Sequence, residues 1–370
     1  MRAPGRVNLI GEHTDYNGGY VLPVAIGLET WIAYLPTDDR RVTLFPDGGD
    51  PAHFDLDAIG PRRETWIDYV AGTARAMIEA GMATSGLCGL ITATLPREAG
   101  LSSSASLELA AAWALSGADP PSIDSLGLAR ICQRAENDYV GVQCGLMDQF
   151  AVACGQPGAA MLLDCRSLAS RAIDLPQDDL TLVICHTGSS RRLGTSEYNA
   201  RRRQCERSVR ALAHHRPDVR SLRDLGPDDL EWVASVVDAE SFRRCRHVIT
   251  ENARVLATVS AIEDGDLNQL GRVFAESHAS LRDDYEVSSA ELDLLVDIAT
   301  RTPGVVAARM TGGGFGGCTV NLVRPDAVDR LREVVLREYP ARAGLQPTVL
   351  TVMAVAGAGP VDRDGAGATS

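Results

Sequence analysis

The sequence contains no lysine; each of its 36 basic residues is an arginine. A Walker P-loop, the strand lysine of protein kinases, and Schiff-base or pyridoxal chemistry are thereby excluded. If such a chain handles ATP, backbone amides, metal and arginine must hold the phosphates. Nine cysteines are scattered singly from Cys88 to Cys318 with no C-x-x-C pair, which indicates neither a zinc ribbon nor a disulfide framework. Reduced, buried thiols in a reducing compartment are expected. No apolar run reaches the ~18 residues of a membrane span, and Met1-Arg2-Ala3-Pro4 does not open a signal peptide. The expectation is therefore a cytoplasmic chain without a membrane partner. A net charge of −13 argues against a nucleic-acid groove.

The apolar content of 45% is ordinary for a globular core, and 370 residues suggest two domains or one large α/β unit. The chain is organised around Gly100-Leu101-Ser102-Ser103-Ser104-Ala105-Ser106. Leu90 to Leu95 before it alternates as a strand does, and Leu107 to Leu115 after it is made mostly of strong helix formers. A strand, a small-residue turn and a helix place unpaired N–H groups and a positive dipole end at one spot, which suits phosphate. An ordinary serine-rich N-cap is the alternative.

At the start of the chain, Arg6, Asn8, Glu12, His13 and Asp15 crowd into a glycine-rich segment. Such a loop suits a polyhydroxylated ligand; a solvated surface loop is the alternative. Val21–Tyr34 and Arg41–Phe45 read as strands, and 64–82 as a helix with a core stripe. Ile131–Tyr139 reads as a helix on which Glu136 is either a metal ligand or, on spacing alone, an exposed side chain. Asp148 stands among Gly145, Leu146, Met147 and Phe150, as a base paired with arginine or as a helix N-cap. Leu180–His186 reads as the strand opening a second domain, and 205–301 as mainly helical with breaks near Pro217, Pro227 and Gly265. The run Arg201-Arg202-Arg203 reads as a solvated face. Gly312 to Gly317 nominally matches G-x-G-x-x-G, but Thr319–Val323 after it is strand-like, so the glycines read as a connection between strands. Residues after Ala356 read as a disordered tail.

In combination these segments resemble the GHMP small-molecule kinases and, within them, the galactokinase family. Gly5 to Tyr16 carries the galactokinase pattern, while Gly100–Ser106 and Met310–Gly317 carry that of the superfamily. Cys144–Phe150, Ser196-Glu197-Tyr198 and Ser280–Glu286 match as well. The resemblance implies an α+β, two-lobed fold: a ribosomal-protein-S5-like domain over 1–178, a ferredoxin-like domain over 179–356, then the tail 357–370. It implies an ATP-dependent sugar 1-kinase with galactose and ATP as substrates, Mg²⁺ as cofactor, and a monomer. Asp148 would be the base on the C1 hydroxyl, with Arg6 as its counter-charge and as stabiliser of the transferring phosphoryl group. Glu12, His13, Thr14, Asp15, Gly145 and Tyr198 would contact the sugar. Glu98, Ala99, Gly100, Leu101, Ser102, Ser103 and Ser104 would wrap the nucleotide phosphates, with Ser104 and Glu136 on Mg²⁺. A kinase for N-acetylgalactosamine, arabinose or mevalonate, and a non-catalytic galactose-binding regulator, are the other readings. The chain departs from the family at Glu98, where a glycine is usual and a carboxylate is repulsive to phosphate unless it turns to solvent. It also starts almost on the first block, so an edge strand ahead of that block is expected to be missing. Finally, Thr187 to Thr195 is shorter than usual, which is expected to shift Tyr198.

Overall fold

Residues 30–35 alternate inward and outward, with Thr30 and Ile32 buried and Trp31 and Leu35 exposed, which sets the faces of the first sheet. The computed structural model describes residues 1–96, 99–117, 121–189 and 194–361, with nothing said of the side chains of 194–196. Glu98 of the expected phosphate turn lies outside the described residues. The first half runs through β1 (Arg2–Asn8), β2 (Tyr20–Val21), β3 (Pro23–Thr37), β4 (Arg41–Pro46) and β5 (Ala52–Asp55). It continues with α1 (Ile67–Glu79), β6 (Gly86–Ala93), α2 (Ser103–Leu115), α3 (Ser125–Ala135), α4 (Met147–Cys154), β7 (Ala159–Asp164) and β8 (Ser170–Asp174). The second half runs through β9 (Thr181–His186), α5 (Gly194–His215), α6 (Leu230–Val236), α7 (Ala239–Glu263), α8 (Leu267–Asp283) and α9 (Ala290–Arg301). β10 (Val305–Thr311), β11 (Cys318–Val323), α10 (Val328–Ala343) and β12 (Thr348–Val352) complete it.

The first sheet has the order β1-β3-β6-β4-β5, antiparallel except for the parallel β4–β6 pair. Its inner face, with Ile32, Val42, Leu44 and Leu87, packs on α1–α4 through Val70, Met77, Leu109, Leu128 and Phe150. Beyond its serine-rich first turn helix α2 is apolar on all sides except for Glu108, and that part is mostly buried. The second sheet has the order β10-β11-β9-β12, with every pair antiparallel. Counted along the chain, its strands stand in the order 2-3-1-4, with α10 between the third and fourth. This is the ferredoxin-like β-α-β-β-α-β arrangement, its first crossover enlarged to α5–α9. One apolar cluster joins the lobes, with Val7, Val24 and Ile26 of the first against Ile184, Val320 and Phe274 of the second.

Four readings change. The opening polar segment is only partly a loop: Arg2–Asn8, with Arg6 and Asn8, forms β1, an edge strand paired with β3 and buried from Ala3 to Asn8, while Glu12, His13 and Asp15 lie in the turns and short helix that follow. Part of the supposed tail is ordered, since Gly359 exchanges two backbone hydrogen bonds with Arg2. Arg201 is buried rather than solvated, its Nε donating to Tyr285 O at 2.8 Å and its Nη2 to Glu286 O at 3.0 Å. The helix at Ile131–Tyr139 ends in a π-turn over Glu136–Val140 that rotates Glu136 into the interior.

Phe150 is 1% exposed on α4, whereas Leu336 on α10 is 48% exposed. Phe150→Ala is expected to cost about 3–5 kcal/mol and Leu336→Ala less than about 0.5 kcal/mol, as read from urea-unfolding midpoints.

Candidate active site

The centre of the site is an ion pair between β1 and the first turn of α4. Arg6 Nε donates to Asp148 Oδ1 at 2.8 Å and Nη2 to Oδ2 at 2.7 Å, a two-point contact. Arg6 Nη1 is tied to Gly100 O at 2.7 Å, so the same guanidinium fixes the turn ahead of α2. Asp148 is not an N-cap; it sits one residue inside the helix start, without a capping bond. Ser102 does not cap with its side chain either. It adopts a left-handed backbone (φ +58°), and its hydroxyl donates to Asp148 Oδ2 at 2.6 Å. The guanidinium is 5% exposed and the carboxylate 27%, so the open side of Asp148 faces the cleft.

On one side of this pair the cleft is lined by Gly100, Ser102, Ser103, Ser104 and Glu136. The first intrahelical bond of α2 is made by the Ser106 amide to Ser102 O. The amides of Ser103, Ser104 and Ala105 therefore lack an intrahelical acceptor and mark the positive end of the helix. Glu136 contradicts the exposed-glutamate alternative: it is 6% exposed and accepts from Gln149 Nε2 at 2.6 Å and from the Ser104 hydroxyl. Burial, and next the charge of Asp148, push its carboxyl up to about 7. Gln149 Nε2 also reaches Glu108 Oε2 at 3.1 Å, and burial drives that carboxyl well above its ordinary range.

On the other side stand Glu12, His13, Asp15, Gly145 and Tyr198, closed by Gly312–Phe315 of the β10–β11 connection. Glu12 Oε1 accepts from the Gly312 amide at 3.1 Å, and its Oε2 pairs with Arg309 at 2.5 Å. His13 has a left-handed backbone (φ +63°); its Nδ1 lies 2.8 Å from the Tyr16 hydroxyl and its Nε2 3.2 Å from Gly313 O. The Tyr198 ring stands 5.3 Å from that of His13. Burial, then the charge of Asp148, raise Asp15 to about 6, against the weaker pull of Arg6 and Arg202. Gly145 is required where it is, because a Cβ there would fall 2.0 Å from Asp15 Oδ2.

The cleft thus gathers Arg6, Asp148, both glycine-rich turns and most of the expected sugar residues. It does not gather Thr14, Ala99 or Leu101. The Thr14 hydroxyl bonds within its own turn, 2.8 Å from Gly11 O and 2.6 Å from Tyr20 O. Ala99 and Leu101 are core residues, 1% exposed each. Residues that sequence reasoning missed lie one layer back: Glu108, Gln149, Tyr16, Tyr285, Arg309 and Glu251. Glu108 and Arg309 carried a signal, each a single charge in an otherwise apolar helix or strand. Among the described residues no group of three or more His, Cys, Asp or Glu is placed to hold a metal, and no helix is long and apolar enough to cross a membrane.

Comparison with known proteins agrees with this geometry. Residues 1–36 match the galactokinase galactose-binding signature, 68–156 the GHMP kinase N-terminal domain and 258–341 the GHMP kinase C-terminal domain. A galactokinase of Chloroflexus aggregans is 44% identical over 97% of this chain and 92% of its own. One from Roseiflexus sp. is 43% identical over 98% and 92%. The structure of Lactococcus lactis galactokinase complexed with galactose superposes with a TM-score of 0.92 at 35% identity, covering 96% of this chain and 93% of that one. Methanococcus jannaschii mevalonate kinase, 16% identical, shares the fold with a TM-score of 0.69 over 96% and 98%. With identity of this level along nearly its whole length, and with the family's signature on the strand that carries Arg6, the chain belongs to the galactokinase family of GHMP kinases.

Proposed function

We infer that the chain transfers the γ-phosphoryl group of ATP to the C1 hydroxyl of galactose, giving galactose 1-phosphate. The observation that carries the reading is the Arg6–Asp148 pair, set between a helix N-terminus on one side and a cluster of hydroxyl-binding groups on the other. Asp148 accepts the proton of the C1 hydroxyl through its open side, while Arg6 and Ser102 orient its carboxylate. Arg6 also balances negative charge as the phosphoryl group moves between oxygens. Such a transfer needs mainly positioning and electrostatic stabilisation. The amides at the start of α2 and the hydroxyls of Ser103 and Ser104 bind the phosphates in place of a lysine. Glu12, His13, Asp15 and Tyr198 orient the sugar, with Gly145 leaving room for Asp15.

Mg²⁺ fits Ser104 and Glu136. Both present oxygen, and the burial and like charge that raise Glu136 are what a cation relieves. Mg²⁺ commonly takes one or two protein ligands plus phosphates, so a larger acidic cluster is not required. Bound there with ATP, the ion supplies neutralisation of the β- and γ-phosphate charge. The reading includes a monomer, and action in the cytoplasm, where buried thiols such as Cys132 and Cys205 stay reduced.

The test is ADP release across a panel of sugars. Galactose should be turned over, and Asp148→Asn should lose at least about a hundredfold in kcat with galactose still bound. Galactose binding without turnover by the wild type would make the chain a sensor instead. Asp15 supplies a pH test. An ionised carboxylate accepts from sugar hydroxyls and a protonated one does so less well. Lowering the pH through about 6 therefore removes the acceptor, and the galactose KM should rise on that side only. Kinetics between about pH 5 and 8 read this limb, which should be absent in Asp15→Asn.

A further inference from the structure

Behind the sugar side of the cleft lies a charge cluster that phosphoryl transfer itself does not use. Arg309, on β10, is fully buried. Its Nη1 donates to Leu9 O at 2.8 Å, and its Nη2 lies 2.5 Å from Glu12 Oε2 and 3.7 Å from Glu251 Oε1. Glu251, on α7, is fully buried too. Its Oε1 accepts from the Gly11 amide at 3.1 Å and from the Ser277 hydroxyl at 2.6 Å, and its Oε2 pairs with Arg254 Nε at 2.7 Å. Two carboxylates and two guanidiniums, from the first block, α7 and β10, thus balance in charge at the junction of the lobes.

We propose that Arg309 is a positioning residue for the sugar, holding the Glu12 carboxylate in place in the wall of the cleft. The proposal rests on the galactose reading above. A carboxylate offers about four acceptor sites. The Gly312 amide and Arg309 each engage one Glu12 oxygen, and the residue, 1% exposed, stands in the wall of the cleft.

The groups facing Glu12 decide its charge. Burial is the largest cause and leaves its carboxyl raised, with Glu251 adding to the push, while Arg309 and the Gly312 amide pull it back toward the ionised form. His247, on α7, meets only the backbone oxygen of Glu12, at 3.1 Å, and burial holds its ring near a pKa of about 4, hence neutral. For Glu251 burial is outweighed by the charges of Arg254 and Arg309 and by the Ser277 hydroxyl, which hold its carboxyl below the ordinary range. Glu251 is therefore a permanent anion that anchors Arg309, and Arg309 is the cation in contact with the Glu12 carboxylate.

Two variants test this. Arg309→Met should raise the galactose KM about ten- to a hundredfold near neutrality, with kcat and the ATP KM little changed. The deficit should shrink as the pH is raised and Glu12 ionises without its partner, a dependence that lost packing alone would not produce. A folded Arg309→Met with the wild-type galactose KM, or with a deficit equal at every pH, overturns the proposal. Thermal unfolding of Glu12→Gln/Arg309→Met gives a readout free of the reaction. Removing the stranded carboxylate should make the double variant more stable than Arg309→Met, or folded where Arg309→Met is not. No such gain overturns the proposal as well. If the wild type fails to phosphorylate galactose while the double variant still shows the gain, the galactose reading falls and the Arg309–Glu12 couple stands.

Discussion

A carboxylate set in a cleft stays ionised most readily with a cation fixed beside it. The contact of Arg6 with Asp148, the base under the function proposed here, ties the parts of the fold together. The two residues are 142 positions apart, so their contact is a product of topology. Placing Arg6 on an edge strand lets its side chain leave the sheet toward the start of α4 while its neighbours Ala3 and Val7 remain in the core. The guanidinium then reaches Gly100 O, and the Ser106 hydroxyl of α2 reaches Ala3 O and the Thr30 hydroxyl at 2.8 Å each. Base, cation and helix N-terminus are therefore referenced to the same two strands. A shift of β1 by one residue would move Arg6 to the opposite face and dissolve all three relations.

The sugar side depends on both lobes in a comparable way. Asn8 and Thr311 exchange hydrogen bonds, the Asn8 amide to Thr311 Oγ1 at 3.0 Å and the Thr311 hydroxyl to Asn8 O at 2.9 Å. Together with the Gly312–Glu12 bond and the shared apolar cluster, these contacts fasten the β10–β11 connection to the first block. The left-handed backbone of His13 is held by the same surroundings, through its bonds to Tyr16 and Gly313. Strain of this kind persists only where neighbours over-determine it.

The sequence was legible where chemistry is local. The Gly100–Ser106 turn, the rejection of a dinucleotide fingerprint at 312–317 and the helical stretch of 205–301 all follow from period and turn residues. What escaped was set by contacts distant in sequence. Nothing near Glu136 announces a π-turn, so spacing favoured an exposed side chain. Arg201 shares its neighbours' composition, and only the backbone carbonyls of Tyr285 and Glu286 distinguish it. The opening segment was misjudged over Arg2–Asn8 because its polar residues are dense, and the pairing with β3 that makes it a strand is a contact distant in sequence.

The balance of charge in the cleft leads one step further. Among the described lining residues the carboxylates of Asp15, Glu136 and Asp148 face a single guanidinium, that of Arg6, while Glu12 is paired with Arg309. Burial is the larger cause and the charge of Asp148 the second in raising both Asp15 and Glu136, so the cleft holds more acid than it can ionise without cost. Under the function proposed here each ligand relieves one part of that load: sugar hydroxyls donate to Asp15, and a divalent cation accompanying the nucleotide meets Glu136. A nucleotide without its cation would meet the repulsion unrelieved. Under that function the anionic cleft would select for the metal-bound form of the nucleotide by the same field that acts on the sugar.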